Sequence, residues 1–456
     1  MGSRRGSHSL EGLMNDEQQV PEPQAARDLQ QGTSEPPAHP ALSDELIDAE
    51  PEAPPPASAS NRGRSRGGLL LLAASLVLIA FNLRCAVASI GPVLPEIIYA
   101  TGLSPAGASA LTTLPSLCFG LFGPLGPTLS RRVGTEYSLL AVLVATVLGT
   151  ALRGSGGAAA LFAGQILSCA GIAVINVLLP GLVKGDFPRH AAVMTGLYVM
   201  ALCVGAATAA GGTVPLEHRF GGSWPAALAF WAAPAALAAA LWITQLPRAA
   251  QIHAQRAWSV RGLWSDALAW QVTLFMGLQS AFAYIVFGWL APILRDRGLD
   301  PVQAGLVVSV SVLAQAAASL FAPALSTIGS DQRTATAISC LVCVGSFLAC
   351  LFGPLSWIWF WSIVLGLSEG ALFAIALMLI VLRASDVHVA AHLSSMSQSI
   401  GYVLASAGPL MAGLLHGWSG NWNALIGLAL VLGAAMLASG VGASRARHVG
   451  AVSVQA

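Results

Sequence analysis

Two charged residues, Arg84 and Glu369, stand near the middle of long apolar stretches of this sequence. A charge at the depth of the bilayer's hydrocarbon is costly, so it usually faces a partner or a watery cavity. A guanidinium is always charged and offers five N–H donors in a planar fork, which suits a small anion or a polar planar group. Arg84 is therefore predicted to bind an anionic substrate or to take part in coupling, and the alternative is a structural arginine neutralised by Glu369.

Glu369 is the acidic candidate for exchanging a proton inside the apolar part of the chain. Burial disfavours its carboxylate form and a neighbouring guanidinium favours it, so the sequence leaves its protonation state open. A moving proton site and a fixed counter-ion for Arg84 are both consistent with the pattern. If the two residues pair in the empty protein, an incoming anion would compete with Glu369 for Arg84.

Neutral polar side chains lie on the same kind of apolar stretch. Asn176, Gln279 and Tyr284 are predicted to donate or accept hydrogen bonds at a ligand, with Tyr198 and Gln398 as weaker candidates. For each of them the alternative is a hydrogen bond that joins neighbouring helices.

Two residue pairs have the spacing of metal or redox motifs, but their surroundings indicate other roles. His388 and His392 have the i, i+4 spacing of a ligand pair, yet they stand beside charged residues at a predicted helix start, which is typical of solvated histidines. Cys340 and Cys343 lie within an apolar stretch without a second cysteine pair, which favours two small core residues. No metal and no cofactor is therefore expected.

The composition indicates which elements hold these residues. Of 456 residues, 55% are hydrophobic and 9% charged, whereas soluble proteins carry about 25% charged residues. The apolar runs reach the roughly 20 residues of a spanning helix, which predicts an all-α polytopic membrane protein. The twelve predicted spans are residues 69–94, 106–129, 137–152, 158–182, 191–214, 224–246, 268–294, 302–326, 335–352, 356–382, 390–415 and 422–443.

Lysine and arginine predict the orientation, because they are retained on the cytoplasmic side of a bilayer. With the N-terminus inside, fourteen of them fall in inner segments and four in outer loops. Both termini are therefore predicted to be cytoplasmic. The outer four are Arg153, Arg219, Arg295 and Arg297, and the inner fourteen are Arg62, Arg64, Arg66, Arg131, Arg132, Lys184, Arg189, Arg248, Arg256, Arg261, Arg333, Arg383, Arg445 and Arg447.

The domain organisation follows from these boundaries. The first 66 residues are rich in Pro, Ala, Ser, Glu and Gln, a composition typical of disorder. We predict a cytoplasmic tail at 1–66, a six-helix half at 67–246, a cytoplasmic linker at 247–266, a second half at 267–444 and a short tail at 445–456.

The two halves repeat one another. Leu121-Phe122-Gly123-Pro124 matches Leu320-Phe321-Ala322-Pro323 at an offset of 199 residues, and at the same offset Gly171 meets Gly370 and Lys184 meets Arg383. A six-plus-six duplication is the plan of major facilitator carriers, in which the substrate binds between the halves near the midplane.

Specific stretches extend this resemblance from about Arg66 to Arg447. The chain resembles the cyanate and 2-nitroimidazole transporter branch of bacterial major facilitators, although the N-terminal tail lies outside the resemblance. The stretches that carry it are Asn82 to Glu96 (NLRCAVASIGPVLPE), Leu111 to Pro115 (LTTLP), Cys118 to Phe122 (CFGLF), Asn176 to Lys184 (NVLLPGLVK), Met194 to Tyr198 (MTGLY) and Trp270 to Ser280 (WQVTLFMGLQS).

The resemblance implies that spans 1, 4, 7 and 10 line a central cavity, and it implies a gate. Many major facilitators carry an acidic, basic, glycine-bounded motif between spans 2 and 3. Here Arg131 and Arg132, followed by Gly134, keep the basic pair and the glycine but lack the Asp. Arg131 and Arg132 are gating candidates, and the alternative is a pair of positive anchors at the membrane surface.

The expected function is secondary transport of a small polar or anionic solute, cyanate-like or nitroimidazole-like, across the bacterial inner membrane. A monomer is expected, with a small-molecule substrate, the lipid bilayer and protons as partners. Net charge near zero argues against a nucleic-acid partner. The alternatives are a proton-driven drug exporter and a carrier-fold solute sensor. A membrane-embedded enzyme would need a cluster of nucleophile, base or metal ligands within the spans, and the sequence contains none.

Overall fold

A computed structural model describes residues 66–246, 258–326 and 332–455. The predicted N-terminal tail, except for Arg66, and more than half of the predicted linker lie outside the described residues. Within the described residues, twelve helical segments are long and apolar enough to cross a membrane. The predicted fold class, two six-helix halves of an all-α membrane protein, is confirmed.

The N-terminal half contains spans 1 to 6, and three of the predicted continuous helices are interrupted. Span 2 stops at Phe122 and continues, after Gly123 and Pro124, as a short helix that ends at Val133. In order the spans are formed by Arg66–Ala88 with Leu94–Thr101, Pro105–Phe122 with Leu125–Val133, Thr135–Leu152, Ala158–Asp186, Ala191–Arg219, and Trp224–Phe230 with Ala232–Ile243.

The C-terminal half contains spans 7 to 12. Span 11 is interrupted at Ser406, three residues before Pro409, because proline cannot donate the backbone hydrogen bond of a continuous helix. In order the spans are formed by Ala267–Ile285 with Ala291–Asp296, Pro301–Ser326, Arg333–Phe352, Ile358–Leu382, Val387–Ala405 with Ala407–Ser419, and Ala424–Ala443.

The break in span 1 lies close to Arg84. The first helix ends at Ala88, and a 3₁₀ turn at Gly91–Val93 leads to the second helix, Leu94–Thr101. Pro92 is the second residue of that turn and has no N–H, so the α-helical hydrogen bonds do not run through it. The helix that carries Arg84 therefore ends about one turn after Arg84.

Span 7 is also irregular where it contacts the break in span 1. Its two α-helices are joined by a π-helical turn at Val286–Leu290, and such turns are frequent at functional sites. Gly91 of span 1 packs directly against the backbone of span 7 at this turn. A Cβ at position 91 would overlap the backbone oxygen of Phe287. Spans 1 and 7 thus meet backbone to backbone just beyond Arg84.

The packing of the spans shows the repeat in three dimensions. Span 1 packs against span 5 as span 7 packs against span 11, and span 3 packs against span 4 as span 9 packs against span 10. Between the halves, span 5 packs against span 8 and span 2 against span 11. A two-fold exchange of the halves interchanges these two contacts. Gly205 and Gly211 allow such close approaches, since Gly205 lies against the backbone of Phe81 and Gly211 against Leu306 and Ser309.

One end of the bundle is closed by an ion pair. Arg295, at the end of span 7, donates to the two carboxylate oxygens of Glu96 at 2.6 and 2.8 Å and to the backbone oxygen of Pro92 at 2.9 Å. We call this side the Glu96 end and the side where residues 246 and 258 lie the linker end. Among the described residues, spans 4 and 10 lack extensive packing against the opposite half.

A short ribbon adds two strands outside the spans. Trp258–Arg261, from the predicted linker, pairs antiparallel with Val452–Gln455, from the predicted C-terminal tail. Asp266 accepts a hydrogen bond from the Gly450 N–H at 2.9 Å. The linker and the C-terminal tail, predicted as separate segments, are joined by this ribbon.

Candidate functional site

Arg84 lies at the interface between the halves. Its guanidinium carbon is 5.6 Å from the ring centre of Phe287 and 6.0 Å from that of Tyr284, both in span 7. Its Nε is buried without a hydrogen-bond partner, and its side chain forms no ion pair with any residue that the structure describes. The N–H donors of Arg84 are therefore available to a ligand.

Four aromatic rings form a wall beside this guanidinium. Phe119 of span 2, Tyr284 and Phe287 of span 7, and Tyr402 of span 11 stand with neighbouring ring centres 5.8 to 6.4 Å apart. The rings meet at steep angles, so they present both faces and edges. The buried hydroxyl of Tyr284 has no hydrogen-bond partner, which makes it a second unused polar group near Arg84.

A small cavity lies between the ring wall and the Glu96 end. Thr112, Tyr284 and Phe287 are among the residues that line it, and its free volume of about 10 Å³ holds about one water.

Glu369 occupies a different place from the one that the ion-pair hypothesis requires. It is buried in span 10, and its electrostatic neighbours include Cys343 and Cys350 of span 9 in the same half. Its Oε1 has no hydrogen-bond partner, and no ion pair joins it to Arg84 among the described residues. The predicted pair is not formed in this conformation, because Glu369 packs within the C-terminal half while Arg84 lies between the halves.

Sequence comparison places this geometry in a family. The Major Facilitator Superfamily profile matches residues 76–409, which include Arg84, Tyr284 and Glu369. The chain belongs to the major facilitator superfamily. It is a secondary transporter and a multi-pass membrane protein.

Two relatives define the branch of this transporter. The chain is 38% identical over 377 residues to the 2-nitroimidazole transporter of Escherichia coli, covering 82% of this chain and 95% of that protein. It is 28% identical over 349 residues to the cyanate transport protein CynX of Escherichia coli, covering 76% of this chain and 90% of that protein. The predicted family and branch are confirmed.

A solved structure agrees with the fold. The nucleoside transporter NupG superimposes with a TM-score of 0.66 at 15% sequence identity, covering 81% of this chain and 99% of that chain. This likeness concerns the architecture, two packed six-helix halves.

The other predicted ligand contacts of the transporter stand apart from Arg84. Gln279 is buried and donates to the backbone oxygen of Met276 at 3.1 Å and to the Ser280 hydroxyl at 2.8 Å. Asn176 is half-buried, and its side chain forms no hydrogen bond with a described residue. Of the four predicted substrate-binding residues, the structure brings Arg84 and Tyr284 together, and no hydrogen bond links either to Asn176 or Gln279 within the described ranges.

The gating candidates lie at the linker end of span 2. Arg131 and Arg132 occupy the last turn of the helix Leu125–Val133 and are exposed. Cations are favourable at this position because the helix dipole is negative at its C-terminus. Neither side chain pairs with a carboxylate among the described residues, so the gating role stays a prediction.

The histidine and cysteine spacings have no ligand geometry in the described part of the chain. No group of three or more His, Cys, Asp or Glu residues there is arranged to hold a metal ion. Asp386 caps span 11 by accepting from the N–H groups of His388 and Val389, and Cys340 and Cys343 are buried free thiols.

Sequence reasoning missed three of the four rings. Phe119 and Phe287 stand in apolar runs where aromatic side chains are ordinary core residues, and Tyr402 lies in a span that the family plan does not assign to the cavity. One sequence signal pointed to Phe119, because it belongs to the stretch Cys118 to Phe122 that carries the family resemblance.

Proposed function

We propose that this transporter moves a small, flat anion or polar heterocycle across the bacterial inner membrane by alternating access, with Arg84 as the substrate-binding residue. The observation that carries the proposal is the guanidinium of Arg84, which lies between the halves without a carboxylate or hydrogen-bond partner among the described residues. A cation in such a place is stabilised when an anionic or polar ligand binds it.

The ring wall supports a flat substrate. A planar ligand can bind the fork of Arg84 through its polar edge and stack on Tyr284 or Phe287 through its face. The relatives are named for cyanate, a small linear anion, and for 2-nitroimidazole, a small flat heterocycle. The hydroxyl of Tyr284 adds a donor for a second polar atom of the ligand.

The closed Glu96 end supports alternating access. The predicted orientation places this end outside the cell, and a closed outer end is what an inward-facing or occluded carrier requires. Three of the four outer arginines have structural partners: Arg295 binds Glu96, Arg297 donates to backbone oxygens at the end of span 9, and Arg153 is buried. Their partners explain why these cations lie at an end that the positive-inside rule otherwise disfavours.

Uptake by the purified transporter in proteoliposomes tests the proposed substrate class. We expect saturable uptake of radiolabelled cyanate or 2-nitroimidazole that unlabelled flat anions inhibit and that glucose does not. Uptake of neither compound, together with uptake of a bulky cationic drug, would contradict the proposal and favour the drug exporter.

We further propose that Glu369 binds the coupling proton at a place separate from the substrate. Its Oε1 is buried with no hydrogen-bond partner, and an unpaired carboxylate in such surroundings is costly. A proton therefore neutralises Glu369 without displacing an ionic partner. Protonation would act on transport through the packing of span 10 against spans 8 and 9.

Glu369→Gln is expected to remove the pH dependence of transport while leaving substrate binding within about twofold, since Glu369 makes no ion pair with Arg84. Proteoliposomes with an imposed pH gradient provide the measurement, with accumulation ratio and half-saturation concentration as readouts. Glu136→Gln, the same change at the start of span 3, is the matched control. An unchanged pH profile in Glu369→Gln would refute the assignment of the proton to Glu369.

A further inference from the structure

Arg153 is a buried cation that neither the family resemblance nor the proposed function uses. The sequence placed it in an outer loop, whereas the structure puts it at the end of span 3 with its side chain fully buried. No carboxylate among the described residues pairs with it. Its guanidinium instead donates hydrogen bonds to neutral oxygens of spans 1, 4 and 6.

The bonds of Arg153 converge on the break in span 1. Its Nη1 donates to the backbone oxygen of Ala86 at 3.0 Å, to Gln165 Oε1 at 3.1 Å and to the Ser89 hydroxyl at 3.3 Å. Its Nη2 donates to the backbone oxygen of Leu228 at 3.3 Å. Spans 1, 3, 4 and 6 are joined through this one guanidinium.

The contact with Ala86 has an electrostatic reason. Ala86 is in the last turn of the helix that carries Arg84, where backbone oxygens lack partners and the helix dipole is negative. Gln165 also donates to the Ala86 oxygen, at 3.4 Å. The helix ends two residues later, at Ala88, so Arg153 caps it at the point where it breaks.

We propose that Arg153 is a positioning residue for the substrate site. It holds the end of the helix that carries Arg84 and so fixes the Arg84 guanidinium against Tyr284 and Phe287. Arg84 precedes Ala86 by two residues, so a movement of the capped turn moves the side chain that binds the substrate. The inference rests on the proposed role of Arg84 in binding.

A matched control exists in the other half. Arg297 also donates through both Nη atoms to backbone oxygens at a helix end, those of Cys350 and Gly353 at the end of span 9. That helix does not carry Arg84. Arg153 is fully buried and Arg297 is half-buried, so the two variants are compared at equal loss of thermal stability. If Arg153 only stabilises the fold, Arg153→Met should then affect the site no more than Arg297→Met does.

The first test follows position 84 without any substrate. Arg84→Cys is labelled with a small methanethiosulfonate reagent, against a low background because the seven native cysteines are buried. We expect Arg153→Met to change the labelling rate of Arg84→Cys by about threefold or more, and Arg297→Met to change it by less than about twofold. Equal rates with and without Arg153→Met would overturn the inference.

The second test measures binding of cyanate and 2-nitroimidazole to the intact chain. We expect Arg153→Met to raise the dissociation constant about tenfold, Arg153→Lys to recover part of that loss because it keeps a cation at the helix end, and Arg297→Met to leave it unchanged. In an Arg84→Lys background the effect of Arg153→Met should shrink below about threefold. If Arg153→Met raised the dissociation constant by the same factor in the Arg84→Lys background as in the wild type, the positioning role would be overturned. If the wild type binds neither compound, the proposed substrate class fails, and the labelling rates still decide the role of Arg153.

Discussion

Arg84→Gln is expected to lower substrate uptake by about a hundredfold while leaving the empty protein at least as stable as the wild type. A charge-assisted hydrogen bond to a ligand contributes about 1.5–3 kcal/mol each, and Arg84 has donors for two in a fork. The empty protein loses no ion pair or hydrogen bond among the described residues, because Arg84 forms none there. Removing a partly buried cation that lacks a carboxylate partner also removes part of its desolvation cost.

Uptake in proteoliposomes and the melting temperature of the purified variant measure the two effects. Arg131→Gln is the matched control, since Arg131 is an exposed arginine at the linker end. Arg84→Lys should retain partial uptake, because lysine keeps the charge and loses the planar fork. A marked drop in the stability of empty Arg84→Gln, with uptake lowered only in proportion to folded protein, would show that Arg84 is structural.

Breaking the ion pair at the Glu96 end is expected to open that end. Glu96→Gln replaces the two carboxylate oxygens at 2.6 and 2.8 Å with one neutral amide oxygen, while Arg295 keeps the backbone oxygen of Pro92. The side chains of Arg295 and Glu96 are 17% and 27% exposed, so solvent weakens the pair, and its loss should shift the balance between states by about 1 kcal/mol, or roughly fivefold.

Labelling of Thr112→Cys reports this opening, because Thr112 lines the cavity just inside the Glu96 end. An impermeant thiol reagent added on the side of the Glu96 end, the outer side in the predicted orientation, should react about five times faster in Glu96→Gln than in the wild-type background. The exchange of both charges, Glu96→Arg with Arg295→Glu, should restore the slow rate. A rate that Glu96→Gln leaves unchanged would show that the ion pair does not hold this end closed.

The spans and the repeat could be predicted from the sequence because they depend on local properties, such as the length and composition of each apolar run. A helix that crosses a bilayer needs an apolar run of about 20 residues. Each of the twelve spans could be predicted from such a run. Arg84 was identifiable for a related reason, since a lone charge within such a run is rare. The breaks in spans 1 and 11 have local signals as well, Pro92 and Pro409.

The direction in which each side chain points was not predictable in the same way. Span 10 is apolar around its whole circumference, so no amphipathic face indicates that Glu369 lies against span 9 instead of Arg84. Arg153 reads as a loop residue because it follows an apolar run, and its burial depends on Ala86, Gln165 and Leu228, which are distant in sequence. Such non-local contacts decide the site and leave no pattern in any one segment.

Ligand-induced stabilisation tests most directly whether the substrate binds at Arg84. Purified wild type and Arg84→Gln are titrated with cyanate and with 2-nitroimidazole, and the unfolding of each is followed. A ligand at a hundredfold excess over its dissociation constant stabilises the protein by about 2.7 kcal/mol, so we predict a clear shift for the wild type and none for Arg84→Gln. Equal stabilisation of both proteins would place the substrate elsewhere and contradict the assignment of Arg84.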